Sequence, residues 1–509
     1  MTVLGTLRTV STLPRAAVAP ERLPGPRGGA RRPFRQPPPP ARRQLPTIRI
    51  RIGGRGPYLL ATVFATLYAV DSVRRYLEFR TESWDLALFT EAVKQYAHLH
   101  APIVDARAPG FDLLGEHFHP ILALLAPFFA IDPSPITLLV AQALLFAASI
   151  VPVTSLAREN LGSRSGYVVG AAYGMSFGIV QAVDFDFHEL AFAAPLIALA
   201  LQALLRDQSK LLIVACIGLL CTKEEFGVTV VMPLGIAWLL RDRANWRRRL
   251  PLPAAGLGAS VLQILWLIPA LNPNHVYGFL TNAGATGSAG NDENAGQLFT
   301  DLGGKLHLLF LLGLVTAFTA LLSPLVLLAI PDLLMRFASS NTFYWGTLYH
   351  YNSVLMPILF IASIDALARR HYGHHHYRRR FKLIAVPAIA LAALSMQSAY
   401  GLPQAFSQQQ YAPSPPHIQA LRNAIHEIPA GATVESSIST LAPLAAKADA
   451  FWLGNTSVDP APEYIVYDTL TAAEPLTPSQ MVQLAETWHP LAVYDLISSE
   501  DGVDVLRMP

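Results

Sequence analysis

The stretch that decides the fold is ELAFAAPLIALALQALLRDQSKLLIVACIGLLCTKEEFGVTVVMPLGIAWLL, residues 189–240. It contains three apolar runs, at 189–206, 210–223 and 225–240, joined by short charged connections. A helix needs roughly 20 predominantly apolar residues to cross a bilayer, so the first and third runs nearly suffice and the second is short. Apolar runs in such close succession predict helices packed side by side in a membrane.

The rest of the chain repeats this pattern. Its 509 residues are 52% hydrophobic and only 14% charged, whereas a soluble globular protein carries about 25% charged residues. This composition excludes an ordinary soluble enzyme and a disordered chain. We therefore predict an all-α polytopic membrane protein with about 11 transmembrane helices, and the short runs leave a range of roughly 10 to 13. The further apolar runs lie at about 57–74, 134–156, 164–183, 251–271, 306–322, 323–337, 348–367 and 381–399.

The N-terminal tail, residues 1–56, is basic and rich in proline. It holds twelve arginines, ten prolines and a single acid, Glu21. Such a segment cannot bury a core, which predicts disorder. Arginine-rich tails also suit nucleic-acid binding, but the positive-inside rule of membrane proteins already explains this charge. We therefore expect a cytoplasmic tail close to the membrane surface and no nucleic-acid partner.

The basic residues between the apolar runs predict the orientation of the helices. A further apolar run at 120–131 is only about a dozen residues long, which suits an interfacial or re-entrant segment. If this run does not cross, the basic clusters at Arg158, Arg206, 241–249 and 369–382 all lie inside with the tail. A crossing there would place nearly all of them outside, against the positive-inside rule. The N-terminus is therefore expected in the cytoplasm and the C-terminus outside it.

This orientation divides the chain into three parts. The last part contains a strand-like sequence at 464–467 and a helix-like stretch at 479–487, which predict a small extracytoplasmic α/β domain. The parts are the disordered tail at 1–56, the membrane domain at 57–399 with a first outer loop at 75–119 and a Gly-rich, mobile outer loop at 272–305, and the α/β domain at 400–509.

Unusual polar residues gather on the predicted outer side. The sequence Trp84-Asp85-Leu86 begins an amphipathic stretch that we expect to form a helix lying in the membrane interface. Ionisable residues at a membrane boundary are costly and therefore indicate function. The candidate site residues are Asp85, His117, His119, Asp186, His188, Glu189, Lys223, Glu224, Tyr349 and His350.

Several of these residues also have a purely structural interpretation. Asp85 suits the capping of a helix N-terminus, His117 and His119 suit the aromatic belt of a membrane protein, and Lys223 with Glu224 suits an ion pair. These interpretations do not explain why the polar clusters share one face of the membrane.

The residue types fit one kind of chemistry. A carboxylate can act as a general base toward an acceptor hydroxyl, and a lysine can neutralise a departing phosphate. Histidines and carboxylates can together bind a divalent metal ion such as Mg²⁺ or Mn²⁺. The candidates for such a metal site are Asp85, His117, His119 and Asp186.

Four segments, 84–89, 117–120, 186–189 and 223–227, have the sequences WDLALF, HFHP, DFHE and KEEFG. In this order they resemble a bacterial family of predicted polytopic membrane proteins with no assigned function, over about residues 75–367. That family usually has FDLGIF, HFSP, DFHPE and KED at these places. The chain departs from it at His119, where Ser is common, and it lacks the proline before Glu189, which shifts the reach of that carboxylate.

This family in turn resembles the membrane glycosyltransferases of the C-type fold (GT-C), which include protein mannosyltransferases and aminoarabinose transferases. Those enzymes take a sugar from a polyprenyl-phosphate donor on the outer face, and they carry an essential acid in the first outer loop. The resemblance implies that Asp85 is this acid, with Asp186 and Glu189 as further catalytic acids. The substrate-binding residues would be His117, His119, His188, Lys223, Glu224, Tyr349 and His350.

The implied function is therefore a glycosyltransferase of the bacterial cytoplasmic membrane. Its partners would be a lipid-linked sugar donor and an envelope glycan, lipid or protein acceptor. Two other interpretations stay open. A transporter or lipid flippase fits the ionisable break between 210–223 and 225–240, because transporters bind substrates at broken helices. A non-catalytic envelope assembly protein would depend on residues 400–509 and not on Asp85.

Overall fold

The helices of the membrane part begin and end close to the apolar runs of the sequence. The structure is a computed structural model, and it describes residues 54–81, 84–278, 295–369, 375–401, 412–456, 461–472 and 475–509. Most of the predicted cytoplasmic tail at 1–56 lies outside these residues. Residues 279–294 of the predicted mobile loop at 272–305 lie outside them as well.

The described part of the membrane domain is mainly helical. The α-helices are α1 (Gly56–Leu77), α2 (Trp84–Ala97), α3 (Ala126–Ile131), α4 (Pro135–Leu161), α5 (Ser163–Gly174), α6 (Phe177–Asp184), α7 (Leu190–Arg206), α8 (Ser209–Leu220), α9 (Met232–Arg241), α10 (Trp246–Arg249), α11 (Pro251–Leu262), α12 (Ile268–Leu271), α13 (Leu302–Leu314), α14 (Ile330–Phe337), α15 (Leu355–Ala368), α16 (His375–Ser395) and α17 (Gln397–Tyr400). π-Helical turns at Gly227–Val231 and Gln263–Leu267 lead into α9 and join α11 to α12.

Several helical segments are long and apolar enough to cross a membrane. Within the described ranges there are five, or six if α5 and α6, which meet at a bend of 40°, form one span. The prediction of a polytopic helical membrane protein is thus confirmed, whereas eleven crossings are not. Pro120–Ile131 is among the shorter apolar helices. The five long segments are Gly56–Leu77, Pro135–Leu161, Arg243–Leu271, Tyr351–Ala368 and Phe381–Tyr400.

Helix α15 lies at the centre of the membrane core. It is apolar on all sides, and nearly every residue from Leu355 to Leu367 is buried. A helix with no polar face must be surrounded by other helices or by lipid. Here protein surrounds it, since α4, α7 and the turns at Thr319–Leu322 and Pro324–Ala329 pack against it.

The basic clusters predicted to lie inside come together at one end of the bundle. Arg206 forms an ion pair with Glu159 at the end of α4. The Lys382 ammonium donates a hydrogen bond of 2.9 Å to the carbonyl of Asn160. Arg206 and Lys382, which the positive-inside rule places on the same side of the membrane, therefore lie close together in the fold.

The opposite end of the bundle contains two breaks between helices. Residues 185–189 separate α6 from α7, and residues 221–226 separate α8 from the π-helical turn at Gly227–Val231. A helix end leaves backbone groups without intrahelical partners, so side chains and loops must satisfy them there. Both breaks carry ionisable residues, and they form the floor of the candidate site.

The C-terminal domain is a small α/β unit, as predicted. Its sheet has the order β2-β1-β3-β5-β4; β1, β2 and β3 run parallel, whereas β5 is antiparallel to both neighbours. The strand expected at 464–467 and the helix expected at 479–487 are both present. The elements are α18 (Pro415–Glu427), β1 (Thr433–Ser436), α19 (Ile438–Lys447), β2 (Asp449–Trp452), β3 (Tyr464–Asp468), α20 (Pro478–Trp488), β4 (Asp495–Glu500) and β5 (Val503–Arg507).

This domain packs directly on α2. The Lys94 ammonium donates a hydrogen bond of 2.7 Å to the carbonyl of Ala448, and the indole rings of Trp84 and Trp452 lie 5.9 Å apart. All eight residues from Leu86 to Val93 are buried. The amphipathic helix expected in the membrane interface is therefore a core helix, because the C-terminal domain covers a side that the sequence pattern left to solvent.

Candidate functional site

Asp85 lies in the first turn of α2, and its side chain stays 30% exposed. The buried residues that follow it hold this end of the helix in place. Burial raises the pKa of the Asp85 carboxyl above its ordinary value; His188 opposes this rise and Glu189 adds to it. Asp85 is thus an accessible acid in surroundings that disfavour its charge, which suits a group that accepts a proton.

His188 faces Asp85 because a buried glutamine holds its backbone. Its Nε2 atom lies 4.0 Å from Oδ2 of Asp85. Gln142 of α4 accepts a hydrogen bond of 3.0 Å from the His188 N–H and donates to the carbonyls of Ala182 and Asp186. Asp186 has a φ of 78°, a left-handed conformation that Asp tolerates better than most residues. The tight turn that results points His188 into the site.

His350 completes this part of the site from the start of the Tyr351–Ala368 segment. Its ring stacks on that of His188, with centroids 3.5 Å apart and an angle of 21° between the planes. Burial lowers the pKa of His350 well below its ordinary value, and the neighbouring His188 and Lys223 add to the effect. His350 is therefore neutral at physiological pH and able to offer a ring nitrogen to a ligand.

Glu189 and Lys223 form a buried ion pair next to His188. Glu189 Oε2 lies 2.9 Å from His188 Nδ1, and Glu189 Oε1 lies 3.7 Å from the Lys223 Nζ. Burial disfavours both charges, but the neighbouring opposite charges outweigh it. They hold the pKa of Glu189 well below its ordinary value and that of Lys223 well above. Lys223 is therefore a permanent cation at a distance from its partner too long for a tight hydrogen bond.

Glu224 ties residues 117–118 to the break between α8 and α9. Its fully buried carboxylate accepts hydrogen bonds from His117 Nδ1 at 2.6 Å, from the Phe118 N–H at 3.0 Å and from the Tyr277 hydroxyl at 2.8 Å. Burial alone would raise the pKa of Glu224, but His117 outweighs it and brings this pKa to about 2. Burial likewise works against protonation of His117, yet Glu224 raises its pKa.

The structural interpretation of Lys223 and Glu224 as partners of each other is therefore wrong. Lys223 pairs with Glu189 and with Glu225, whose Oε1 lies 3.6 Å from its Nζ. Glu224 pairs with His117 instead. Successive residues at a helix break point in different directions, so one motif supplies two separate groups of contacts.

Three predicted residues lie at the edge of this arrangement. His119 is buried edge-on against Phe89, with ring centroids 5.6 Å apart, and burial lowers its pKa to about 4. The Asp186 carboxylate lies 3.8 Å from an Nη atom of Arg75. Tyr349 packs edge-on against Phe185, with centroids 4.8 Å apart.

The sequence analysis missed four residues that shape the site. Nothing in the sequence around Gln142 or Tyr277 indicates a functional site, since each is a single polar residue outside any charged cluster. Glu225 belongs to the quoted motif, and burial raises its pKa to about 7. Arg336 is a buried cation in the apolar run at 323–337, and its guanidinium donates a hydrogen bond of 2.9 Å to Asn352. The rule that intramembrane charges indicate function would have found Arg336.

Within the described ranges, two groups of side chains could hold a metal ion. One consists of Asp85, His188 and His350, and the other of His117 with Glu224 and Glu225; in each, the ligand atoms lie within 4.8 Å of one another. In the first group, the Nδ1 atom of His350 has no hydrogen-bond partner among the described residues. Two imidazoles and one carboxylate suit Mn²⁺ or Zn²⁺ better than Mg²⁺, which prefers oxygen ligands.

Residues 75–505 match the model of the family described as "Predicted membrane protein (DUF2079)". The chain belongs to this family. The match extends over both the membrane domain and the C-terminal domain, so all the residues of the candidate site lie within it. The family resemblance inferred from four short segments is thereby confirmed. No curated protein matches the chain significantly in a sequence search.

Solved structures show which fold this family member has. The crystal structure of ArnT from Cupriavidus metallidurans bound to undecaprenyl phosphate aligns with a TM-score of 0.53 at 14% identity, covering 89% of this chain and 98% of that one. The apo structure of the same protein aligns with a TM-score of 0.45 at 13% identity, covering 88% and 98%. The fold therefore resembles that of ArnT, a GT-C protein, along nearly its whole length.

Proposed function

We propose that the chain is a membrane glycosyltransferase that takes a sugar from a polyprenyl-phosphate donor. One observation carries the proposal: Asp85, His188, Glu189 and Lys223, which come from three separate parts of the chain, meet at one end of the bundle. The fold shared with ArnT supports it, since that protein was crystallised with undecaprenyl phosphate. The fold alone does not assign an activity, so the site residues must carry the argument.

Each charged residue has a role in such a transfer. Asp85 accepts the proton of the acceptor hydroxyl as the acceptor oxygen forms a bond to the anomeric carbon of the sugar. The bond from that carbon to the phosphate oxygen breaks, and polyprenyl phosphate leaves with the bonding electrons. Lys223, a cation with only long contacts to its carboxylate partners, neutralises the developing charge on this phosphate. Glu189 keeps Lys223 charged and orients His188.

A divalent cation would fit the group formed by Asp85, His188 and His350. It would supply charge stabilisation to the phosphate of the donor when bound. His188 and His350 would then act as ligands through ring nitrogens. Glu189, whose Oε2 lies 2.9 Å from the other ring nitrogen of His188, would orient that ring as an outer partner.

We also propose eleven crossings, with the site on the extracytoplasmic side together with the C-terminal domain. Contacts at the two ends of α15 support the two short spans that precede it. The Ser323 hydroxyl donates a hydrogen bond of 2.5 Å to Asp365 near the end of α15, whereas Arg336 contacts Asn352 just before its beginning. Residues 302–337 therefore go down along α15 and return, which is what two crossings require.

The substitution Asp85→Asn tests the proposal. It keeps the size of the side chain and removes the proton acceptor, so transfer of sugar from lipid donor to envelope acceptor in membranes should fall by at least about a hundredfold. Asp132→Asn is the matched control, because Asp132 is an exposed acid at the end of α3. Normal transfer by a folded Asp85→Asn protein would rule out the role of this residue.

A transporter or flippase is the second candidate, and one observation favours it. The helix is broken at residues 221–226 with Lys223, Glu224 and Glu225 inside the break, a feature of transporter substrate sites. Reconstituted protein that moves labelled lipid or solute across vesicles, without forming a covalent product, would decide for this class.

A further inference from the structure

A cavity of about 660 Å³ lies in the C-terminal domain, away from the residues discussed so far. Residues after β1, β2 and β3 line it, so it opens at the carboxyl ends of the three parallel strands. From β1 the chain crosses to β2 on one side, and β3 lies on the other side of β1. Open α/β sheets bind ligands at such a switch point, and the volume is that of a small-molecule site.

A buried acid holds the rim of the cavity that follows β2. The Glu435 carboxylate is fully buried and accepts hydrogen bonds of 3.0 Å from the backbone N–H groups of Gly454 and Thr456. Gly454 has a φ of 73° and lies against the ring of Trp488. A Cβ atom at this position would be 3.4 Å from that ring. Residues 453–456 are therefore fixed before any ligand arrives, with Trp488 beside them.

A second buried acid holds the rim that follows β3. Asp468 accepts hydrogen bonds from the Leu470 N–H at 2.9 Å, from the Thr471 hydroxyl at 3.0 Å and from the Ser439 hydroxyl at 2.7 Å. Burying a carboxylate is costly unless its hydrogen bonds are satisfied. Two such acids at the two rims indicate a cavity whose shape is preorganised.

The lining determines what the cavity can bind. Trp452 and Trp488 offer aromatic faces, and Gln483 and Thr487 lie on the face of α20 that lines the cavity. Among the described lining residues none carries a charge at neutral pH. Among these residues a phosphate or carboxylate ligand would therefore find no counter-ion, whereas a neutral ligand with hydroxyl groups would find both amide and hydroxyl partners. Aromatic rings also pack against the C–H faces of a sugar ring.

The cavity is physically connected to the candidate site. Trp452 lines the cavity and also contacts Trp84, which immediately precedes Asp85. The Asn455 amide, in the loop after β2, donates a hydrogen bond of 2.9 Å to the carbonyl of Arg107 in the outer loop. The cavity is thus joined through these contacts to the segment that carries Asp85.

We propose that this cavity binds a neutral saccharide and that this saccharide is part of the acceptor. The second half of the statement rests on the proposed glycosyltransferase function, while the first does not. The C-terminal domain then selects the acceptor, and the membrane domain carries the donor chemistry.

The test is saccharide binding to the full-length protein in a detergent without a sugar head group, which could otherwise occupy the cavity. Maltotriose, mannotriose and chitotriose serve as neutral probes and trigalacturonic acid as the charged one, each followed by saturation-transfer NMR. At least one neutral probe should bind, and the charged probe should not. Binding of none of the neutral probes, or equal binding of the charged one, would overturn the assignment.

Variants locate the binding. Trp488→Ala should weaken it by at least about tenfold, as expected for a central aromatic contact. Gln483→Ala changes an exposed residue on α20 and should weaken binding without affecting folding. Trp246→Ala is the matched control, because Trp246 is a half-exposed tryptophan of α10 in the membrane domain. Unchanged binding in both cavity variants would refute the site.

One further variant separates this inference from the proposed function. Asp85→Asn should abolish sugar transfer and leave saccharide binding as in the unaltered protein. If neither the unaltered protein nor any variant transfers sugar while Trp488→Ala and Gln483→Ala weaken saccharide binding, the transferase proposal fails and the saccharide site stands. If transfer occurs and Trp488→Ala changes neither transfer nor binding, the transferase proposal stands and this inference fails.

Discussion

Replacing Glu224 by glutamine should destabilise the protein by an amount that can be derived in two ways. The pKa of Glu224 lies at about 2 instead of its ordinary 4.5, and a difference of about 2.5 pKa units corresponds to roughly 3 kcal/mol. Three donors, on His117, Phe118 and Tyr277, reach this carboxylate. Glutamine keeps only one acceptor oxygen, and each lost bond to a charged group is worth about 1.5–3 kcal/mol. We expect the free energy of unfolding to fall by about 3 kcal/mol.

The neighbouring residue provides the matched control. Burial raises the pKa of Glu225 to about 7, so its surroundings already disfavour the charged form. By the same relation, Glu225→Gln removes a charge that folding disfavours, so it should leave the free energy of unfolding at neutral pH unchanged or raise it by up to about 3 kcal/mol. The same substitution at two adjacent glutamates should therefore change the free energy of unfolding differently, because the folded protein favours the charged form of Glu224 and disfavours that of Glu225.

The assay is reversible unfolding in mixed micelles, followed by tryptophan fluorescence over a range of pH. Glu224 has a lowered pKa in the folded protein, so its contribution is complete above pH 4.5 and is lost as the pH falls toward about 2. The gap between the unaltered protein and Glu224→Gln should narrow over this interval. Equal losses for the two glutamine variants, or a gap that acid leaves unchanged, would refute the reasoning.

Two further outcomes are expected. Arg336→Met leaves Asp332, 3.4 Å away, buried without its partner and should lower the free energy of unfolding by about 3–5 kcal/mol. In thermal unfolding, the added substitution Asp332→Leu should recover part of this loss. A double variant that is no more stable than Arg336→Met would contradict the pairing. Chelation of divalent metal ions should abolish sugar transfer. Mn²⁺ or Zn²⁺ should restore transfer better than Mg²⁺, because two of the three candidate ligands, His188 and His350, offer ring nitrogens. Transfer that is insensitive to chelation would contradict the metal site.

Part of the candidate site was predictable from the sequence, because charged residues in apolar surroundings are conspicuous. Asp85, His188, Glu189 and Lys223 were all predicted, and the structure brings them together. Their partners were not predictable in the same way: Gln142 holds His188 across 46 positions of the chain. A polar residue of ordinary context acquires such a role only when packing places it beside a particular loop.

The course of the helices was predictable to a similar degree. Five of the apolar runs coincide with the five long helical segments of the described ranges, and the basic clusters at Arg206 and Lys382 lie with α4 at one end of the bundle. Both signals are local, since a helix needs a run of apolar residues and a charge must avoid lipid. The number of crossings does not follow from these local signals, because spans shorter than the membrane core depend on their neighbours for burial.

The sequence by itself determined that this is a helical membrane protein with a C-terminal α/β domain, because composition and periodicity act within each segment. Only the tertiary structure decided that this domain covers α2, that Glu224 pairs with His117 and that Trp84 meets Trp452. The two tryptophans are 368 positions apart in the chain and 5.9 Å apart in space. Contacts of this kind arise when separate apolar faces are buried against each other, and no local pattern specifies which two faces will meet.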